Sequence, residues 1–134
     1  MSALLTVGSV FAFIAAVIHL FIFFLESIAW SKPSTWKRFG ITSQAEADTL
    51  RPMAFNQGFY NVFLAIGAGV GLIMIGSNTM RTGGIAIEIF ALGSMLLASV
   101  VLVVSNPRLL RAAALQGAAP LLGIVFLGIA LSSS

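Results

Sequence analysis

The chain has 134 residues, of which 59% are hydrophobic and only 8% are charged. Soluble domains carry about 25% charged and about 45–50% apolar residues, so this composition indicates an integral membrane protein. Seven Lys and Arg against four Asp and Glu give a formal net charge of +3, but they are scattered between apolar segments and form no basic surface for a nucleic acid. Because cysteine is absent, disulfides and zinc sites built from cysteine are excluded.

The first apolar segment, residues 3–30, is too long for a signal peptide, has no basic residue before it and no small-residue cleavage site after it. We therefore expect a retained membrane helix. Three further apolar segments follow at residues 53–76, 82–105 and 108–131. Each is long enough to cross about 30 Å of hydrocarbon, which takes about 20 residues. The sequence predicts an all-α, polytopic membrane four-helix bundle that forms a single domain over residues 1–134.

Basic residues are distributed unequally between the loops. The first loop holds Lys32, Lys37, Arg38 and Arg51, the second holds Arg81, and the third holds Arg108 and Arg111. Cytoplasmic loops carry an excess of Lys and Arg, so loops one and three are predicted to be cytoplasmic and both termini to lie outside. Trp30 and Trp36 flank this side of the first span, where tryptophan commonly anchors a helix at the membrane interface.

Polar residues inside the spans fall in the predicted cytoplasmic half when depth is counted at about 1.5 Å per residue. They are His19 and Glu26 in span one, Asn56, Gln57, Tyr60 and Asn61 in span two, and Gln116 in span four, with Arg51 at the edge. A charged side chain at the bilayer centre costs about 2.5–3.5 kcal/mol. These residues should therefore face the interior or a partner subunit, which predicts a polar cavity walled by spans one, two and four.

Each polar residue also has a structural interpretation. His19 could be a hydrogen-bonded interior histidine, and Glu26 could be solvated at the interface or paired with Arg51. The amides of span two could serve only to join helices. Glu88 in span three lies apart from the others; it could reach the interface, pair with Arg81 or couple proton movement.

The segments "IHLFIFFLESIAW", "FG" and "RPMAFNQGFYNVFLAIG" resemble an uncharacterised bacterial membrane family, domain of unknown function 1304. The resemblance covers nearly the whole chain and implies a four-span, multi-pass protein of the bacterial inner membrane, with no established activity. The chain is also similar to the membrane-associated eicosanoid and glutathione metabolism superfamily. Arg51, Asn56 and Tyr60 would match the entry to its second span, although the acidic residue of that motif is absent here.

Three functions are compatible with these residues. In the first, the protein holds a lipophilic or amphiphilic small molecule, with His19 or Glu26 as acid or base. The residues that would orient the ligand's polar group are Arg51, Asn56, Gln57, Tyr60, Asn61 and Gln116. In the second, Glu26 or Glu88 couples transport to protons. In the third, the protein is a structural or accessory membrane component.

Partners and cofactors are predicted from the same composition. Membrane lipids are the expected surroundings, and a dimer or trimer is expected because four short spans bury little surface. No cofactor or metal is predicted. Haem would need a second axial ligand from another subunit, and a metal at His19 and Glu26 would need ligands from other helices.

Overall fold

The computed structural model describes residues 1–133 and is built from helices joined by short loops. The α-helices are α1 Ala3–Phe23, α2 Pro33–Trp36, α3 Gln44–Gly76, α4 Arg81–Ser105 and α5 Leu110–Ser132. A π-helix, Phe24–Ile28, extends α1, while short 3-10 helices cover Lys37–Phe39 and Pro107–Leu109. Four segments are long and apolar enough to cross a membrane: Ala3–Ile28, Gln44–Gly76, Arg81–Ser105 and Pro107–Ser132. The predicted all-α membrane bundle is confirmed.

The four long helices form a closed ring. Helix α1 packs against α3 and α5, and α4 packs against the same two helices from the other side. Most of the buried hydrophobic residues are alanines, such as Ala12, Ala15 and Ala68, and Leu92 and Leu127 are among the larger side chains of the core. Large apolar side chains instead cover the outer surface, which is the arrangement expected of a bundle surrounded by lipid rather than water.

Helix α3 begins earlier than the sequence indicated. The apolar run predicted a span from residue 53, whereas the helix starts at Gln44 and continues through Pro52. Ser43 caps this start by accepting a hydrogen bond from the Glu46 N–H at 3.2 Å. Glu46 in turn accepts from the backbone N–H of Thr42 at 3.3 Å. This exchange of hydrogen bonds is close to a capping box and stabilises a helix start in polar surroundings, before the hydrophobic segment.

The first loop folds back onto the bundle. The indole N–H of Trp30 donates to Ala47 O at 2.8 Å, and that of Trp36 donates to Gln44 Oε1 at 3.2 Å. Both rings are buried, and each indole finds its partner at the start of α3, so the two tryptophans hold the first loop against this helix; their position at the membrane interface stays a prediction. Gly40, at φ +80°, then turns the chain toward Asn106, whose Nδ2 lies 3.7 Å from the ideal position of a Cβ on the glycine. Loops one and three therefore meet at the same end of the bundle.

Candidate functional site

A polar cluster formed by Glu26 and Asn61 lies where the end of the first span packs against α3, while the buried His19 lies earlier on α1. His19 is only 2% exposed, and its Nδ1 lies 2.8 Å from Ala15 O. Glu26 is buried within the π-helix and its Oε2 accepts a hydrogen bond from Asn61 Nδ2 at 3.1 Å. Within residues 1–133, no three His, Asp or Glu side chains come together as metal ligands. The cluster therefore joins two helices through one interhelical hydrogen bond.

A close helix crossing supports this cluster. Ser27 Oγ donates to Phe55 O at 2.8 Å, directly beside Gly58. A Cβ at Gly58 would overlap Ser27, so the helices approach this closely only because residue 58 has no side chain. π-Helical turns occur frequently at functional sites because they re-aim side chains within a helix. Here the π-helical turn contains Glu26 and Ser27, and both contact α3.

The other polar residues predicted on span two do not reach the interior. Asn56, Gln57, Tyr60 and Arg51 are all exposed, with Tyr60 at 57%. The buried face of α3 is made mainly of small residues, such as Ala54, Gly58, Ala65, Ala68 and Gly71. Small residues let helices approach closely, so they occupy the contact face and turn the larger polar side chains outward. The cavity expected between spans one, two and four is therefore not where these residues lie.

A cavity with a volume of about 970 Å³ lies between α1, α4 and α5. Ile18 and Ile22 line it from α1 and Leu25 lines it from the π-helix, while Leu102 and Leu115 line it from α4 and α5. Gln116 is the one predicted site residue in its wall. Within the described chain, no hydrogen-bond partner engages the Gln116 amide, so this polar group is available to a ligand.

Part of the apolar wall of the cavity is accessible. Phe21 on α1 and Leu115 on α5 both line it, and they are 48% and 65% exposed.

Basic side chains surround the end of this cavity that is closest to the loops. Lys37 and Arg38 come from the first loop, and Arg108 and Arg111 come from the segment that begins the last span. All four are exposed, and no Asp or Glu lines the cavity. Sequence reasoning used these residues only as indicators of topology. The sequence already assigned these four residues to loops on the same side of the membrane, and this assignment could have predicted that they lie close together.

Glu88 lies apart from the polar cluster and the cavity, in the contact surface between α3 and α4, called the seam below. Its side chain is 0% exposed, and neither carboxyl oxygen has a hydrogen-bond partner within residues 1–133. It packs on Gly71, where a Cβ would come within 2.8 Å of Glu88 Oε1. Arg81 binds Ile75 O and Asn78 Oδ1 instead, at 3.1 and 2.8 Å. Glu88 therefore neither reaches the interface nor pairs with Arg81.

Comparison with known families gives one match, to the family described as "Protein of unknown function (DUF1304)", over residues 13–128. The chain belongs to this family. The DUF1304 match includes the π-helix, the polar cluster and the residues that line the cavity, and it confirms the first resemblance noted in the sequence. No curated protein and no solved structure matches the chain. The likeness to the eicosanoid and glutathione superfamily stays a prediction.

Proposed function

We propose that this DUF1304 protein holds an amphiphilic small molecule in the cavity between α1, α4 and α5. The observation that carries the proposal is the cavity itself, with its volume of about 970 Å³ and its mainly apolar wall. Sites that hold small molecules typically measure about 300–1,000 Å³, and they combine apolar walls with a few polar groups. This cavity has the same combination.

The apolar wall suits a hydrocarbon chain. Ile18, Ile22 and Leu25 are spaced four and three residues apart, so they form a continuous stripe along one face of the helix. Phe21 and Leu115, which are apolar and exposed in the same wall, would add further contacts to such a chain. The Gln116 amide would then meet the first polar atoms of the molecule. With loops one and three in the cytoplasm, as the charge distribution predicts, the polar end would face the cytoplasmic side of a bacterial inner membrane.

Binding, rather than catalysis, is the activity proposed. His19 and Glu26, the two candidate acid–base residues, are absent from the residues that line the cavity. Glu26 is hydrogen-bonded to Asn61 and His19 Nδ1 lies 2.8 Å from Ala15 O, so both have a structural role in joining or shaping the helices. A general acid or base must come within about 2.6–3.2 Å of the proton it transfers. Because neither residue lines the cavity, we do not propose either as an acid or base for a molecule held there.

Photo-crosslinking tests the proposal. The purified protein in phosphatidylcholine nanodiscs is incubated with a monoacylglycerol, an uncharged probe with a diazirine near the end of its acyl chain. Peptide mass spectrometry is expected to locate the crosslinks on the cavity residues of α1 and α5. Ala112→Trp places a large ring in the wall and should remove most of this labelling.

Ala86→Trp is the matched control, because Ala86 is exposed on α4 and does not line the cavity. Ile22→Trp provides a second obstruction from the opposite wall, and circular dichroism checks that each variant is folded. Uniform labelling of lipid-exposed positions such as Phe90, unchanged by either obstruction, would refute the proposal and favour a structural or accessory role.

A second candidate function is proton-coupled transport, which the environment of Glu88 favours. Glu88 is fully buried and its carboxyl group has no hydrogen-bond partner within residues 1–133. Such a group is costly in a membrane and often marks an ion or proton pathway. Proton flux into liposomes under a pH gradient should then be lost in Glu88→Gln. It should persist in Glu46→Gln, which changes an exposed carboxyl group in the first turn of α3. Flux that is absent from the native protein, or that survives in Glu88→Gln, would rule this function out.

A further inference from the structure

Within residues 1–133, no acidic side chain pairs with the basic mouth formed by Lys37, Arg38, Arg108 and Arg111. None of the four acidic residues of the chain lines the cavity. Glu46 and Asp48, the acidic residues at the start of α3, are engaged by Thr42 and Gln44. Four positive charges therefore stand at one end of an apolar cavity without a carboxylate to balance them.

Arg108 and Arg111, the two arginines that the last span contributes to this mouth, are free to bind a ligand. Within residues 1–133, no acceptor engages the guanidinium group of Arg108 or Arg111, and the two residues are one helical turn apart. Across the mouth, Arg38 Nε donates to Ser34 O at 3.3 Å, and Lys37 Nζ lies 5.7 Å from the centre of the Trp36 ring. These contacts position the first-loop cations but leave their charge unneutralised.

We propose that the polar group of the amphiphile is a phosphate, bound between Arg108 and Arg111 on one side and the first loop on the other. This inference rests on the proposed function, since it names the headgroup of the molecule that the cavity holds. A phosphate monoester carries a charge of about −1.5 to −2 near neutral pH. Arginine binds phosphate through paired N–H donors, and it does so more specifically than a point charge such as lysine.

The depth of Gln116 agrees with this class of ligand. It follows Arg111 by five residues, so it lies about 7.5 Å farther along α5, away from the loops. The phosphate would lie at the mouth, the Gln116 amide would meet an ester or hydroxyl group below it, and the chain would continue along Ile18 and Ile22. The proposed ligand is thus a phosphate-bearing amphiphile with an apolar chain.

Two probes that differ only in the phosphate test the proposal. Lysophosphatidic acid and monoacylglycerol with the same diazirine-bearing chain are compared by crosslinking in phosphatidylcholine nanodiscs. Hydrogen bonds to charged groups contribute about 1.5–3 kcal/mol, so the phosphate probe should half-saturate the cavity at a concentration at least about tenfold lower. The double variant Arg108→Gln, Arg111→Gln should remove this preference while monoacylglycerol labelling is retained.

The control is the double variant Lys32→Gln, Arg51→Gln, which removes two charges from the first loop and the start of α3 but none from the cavity. This variant should keep the preference for lysophosphatidic acid, because the proposal assigns that preference to the arginines that line the cavity and not to the overall positive charge of this end of the bundle. Equal binding of the two probes, or an equal loss of preference in both double variants, would overturn the phosphate assignment and leave the cavity proposal standing. Absence of cavity labelling by either probe would instead refute the proposed function.

Inorganic phosphate added as a competitor distinguishes the two sources of the group. Displacement of lysophosphatidic acid, but not of monoacylglycerol, by millimolar phosphate would support the site and show that the free ion is bound. Preference for the phosphate probe without such displacement would support a lipid headgroup, whose chain supplies the remaining affinity.

Discussion

At the scale of single residues, Asn61 differs from the other polar residues of α3 because its side chain forms a hydrogen bond with Glu26. Asn61 donates to the buried carboxyl group of Glu26 in the π-helix, whereas Asn56, five residues nearer the start of α3, is exposed and binds nothing within the described chain. Two chemically identical side chains on one helix therefore have different surroundings. The difference offers a direct measure of what the buried hydrogen bond contributes.

We predict that Asn61→Ala lowers the free energy of unfolding by about 0.6–2 kcal/mol, the range for interhelical hydrogen bonds in membranes. The loss follows because Glu26 would have no donor left. Unfolding in mixed micelles of increasing dodecyl sulfate content measures the change. Asn56→Ala is the matched control and should be nearly neutral, so equal destabilisation by the two substitutions would contradict the assigned role.

At the scale of helices, glycines allow α3 and α4 to approach closely along their seam. An ideal Cβ on Gly84 would lie 2.7 Å from Gly71 O and 2.7 Å from Ile75 N, which are both backbone atoms. Backbone cannot rotate aside as the end of a side chain can, so a methyl group here must push the helices apart. Gly83, the preceding residue, would meet only the end of the Met74 side chain, at 3.1 Å.

We expect Gly84→Ala to destabilise the bundle by about 1–3 kcal/mol, the usual effect of overpacking. The opening of the seam should also expose Glu88, which packs beside it on Gly71. Gly83→Ala should be neutral or slightly stabilising, because alanine is favoured over glycine within a helix. Thermal unfolding in detergent compares the two variants; similar melting temperatures for both would show that the seam tolerates separation.

At the scale of the whole molecule, the ring of four helices gathers loops one and three at one end, where Gly40 lies against Asn106. Six of the seven basic residues lie in these two loops or at the adjoining helix starts, so the two ends of the bundle differ sharply in charge. The exposed polar face of α3, with Asn56 and Tyr60, is a feature that a second subunit could cover. The dimer or trimer expected from the sequence stays a prediction.

The charge difference predicts that loops one and three are cytoplasmic. Since the chain has no cysteine, single cysteines can be introduced without background. Thr79→Cys in loop two should react with a membrane-impermeant maleimide in intact spheroplasts, whereas Ser34→Cys in loop one should react only after permeabilisation. Both positions are exposed, so accessibility within the fold is matched. The reverse labelling pattern would mean that the bundle is inserted the other way.

The number of spans, the helical class and the family were readable from the sequence because hydrophobicity and length act locally along the chain. The apolar run indicated where the hydrophobic segment begins, at residue 53, whereas α3 begins at Gln44 because Ser43 caps the helix before that segment. Depth counted along the spans matched Glu26 with Asn56 and Gln57, and His19 with Asn61, but this pairing was wrong for Glu26, whose carboxyl group accepts a hydrogen bond from Asn61.

Which way each polar residue faces was decided only by tertiary structure. Ala54, Gly58 and Ala65 form the contact face of α3 because small side chains let helices approach closely, and Asn56 and Tyr60 are turned outward as a result. The cavity likewise depends on residues far apart in sequence, from Ile18 to Gln116. Hydrophobicity selects the membrane as the environment, but close packing of small residues selects the interior face and therefore determines where a ligand can bind.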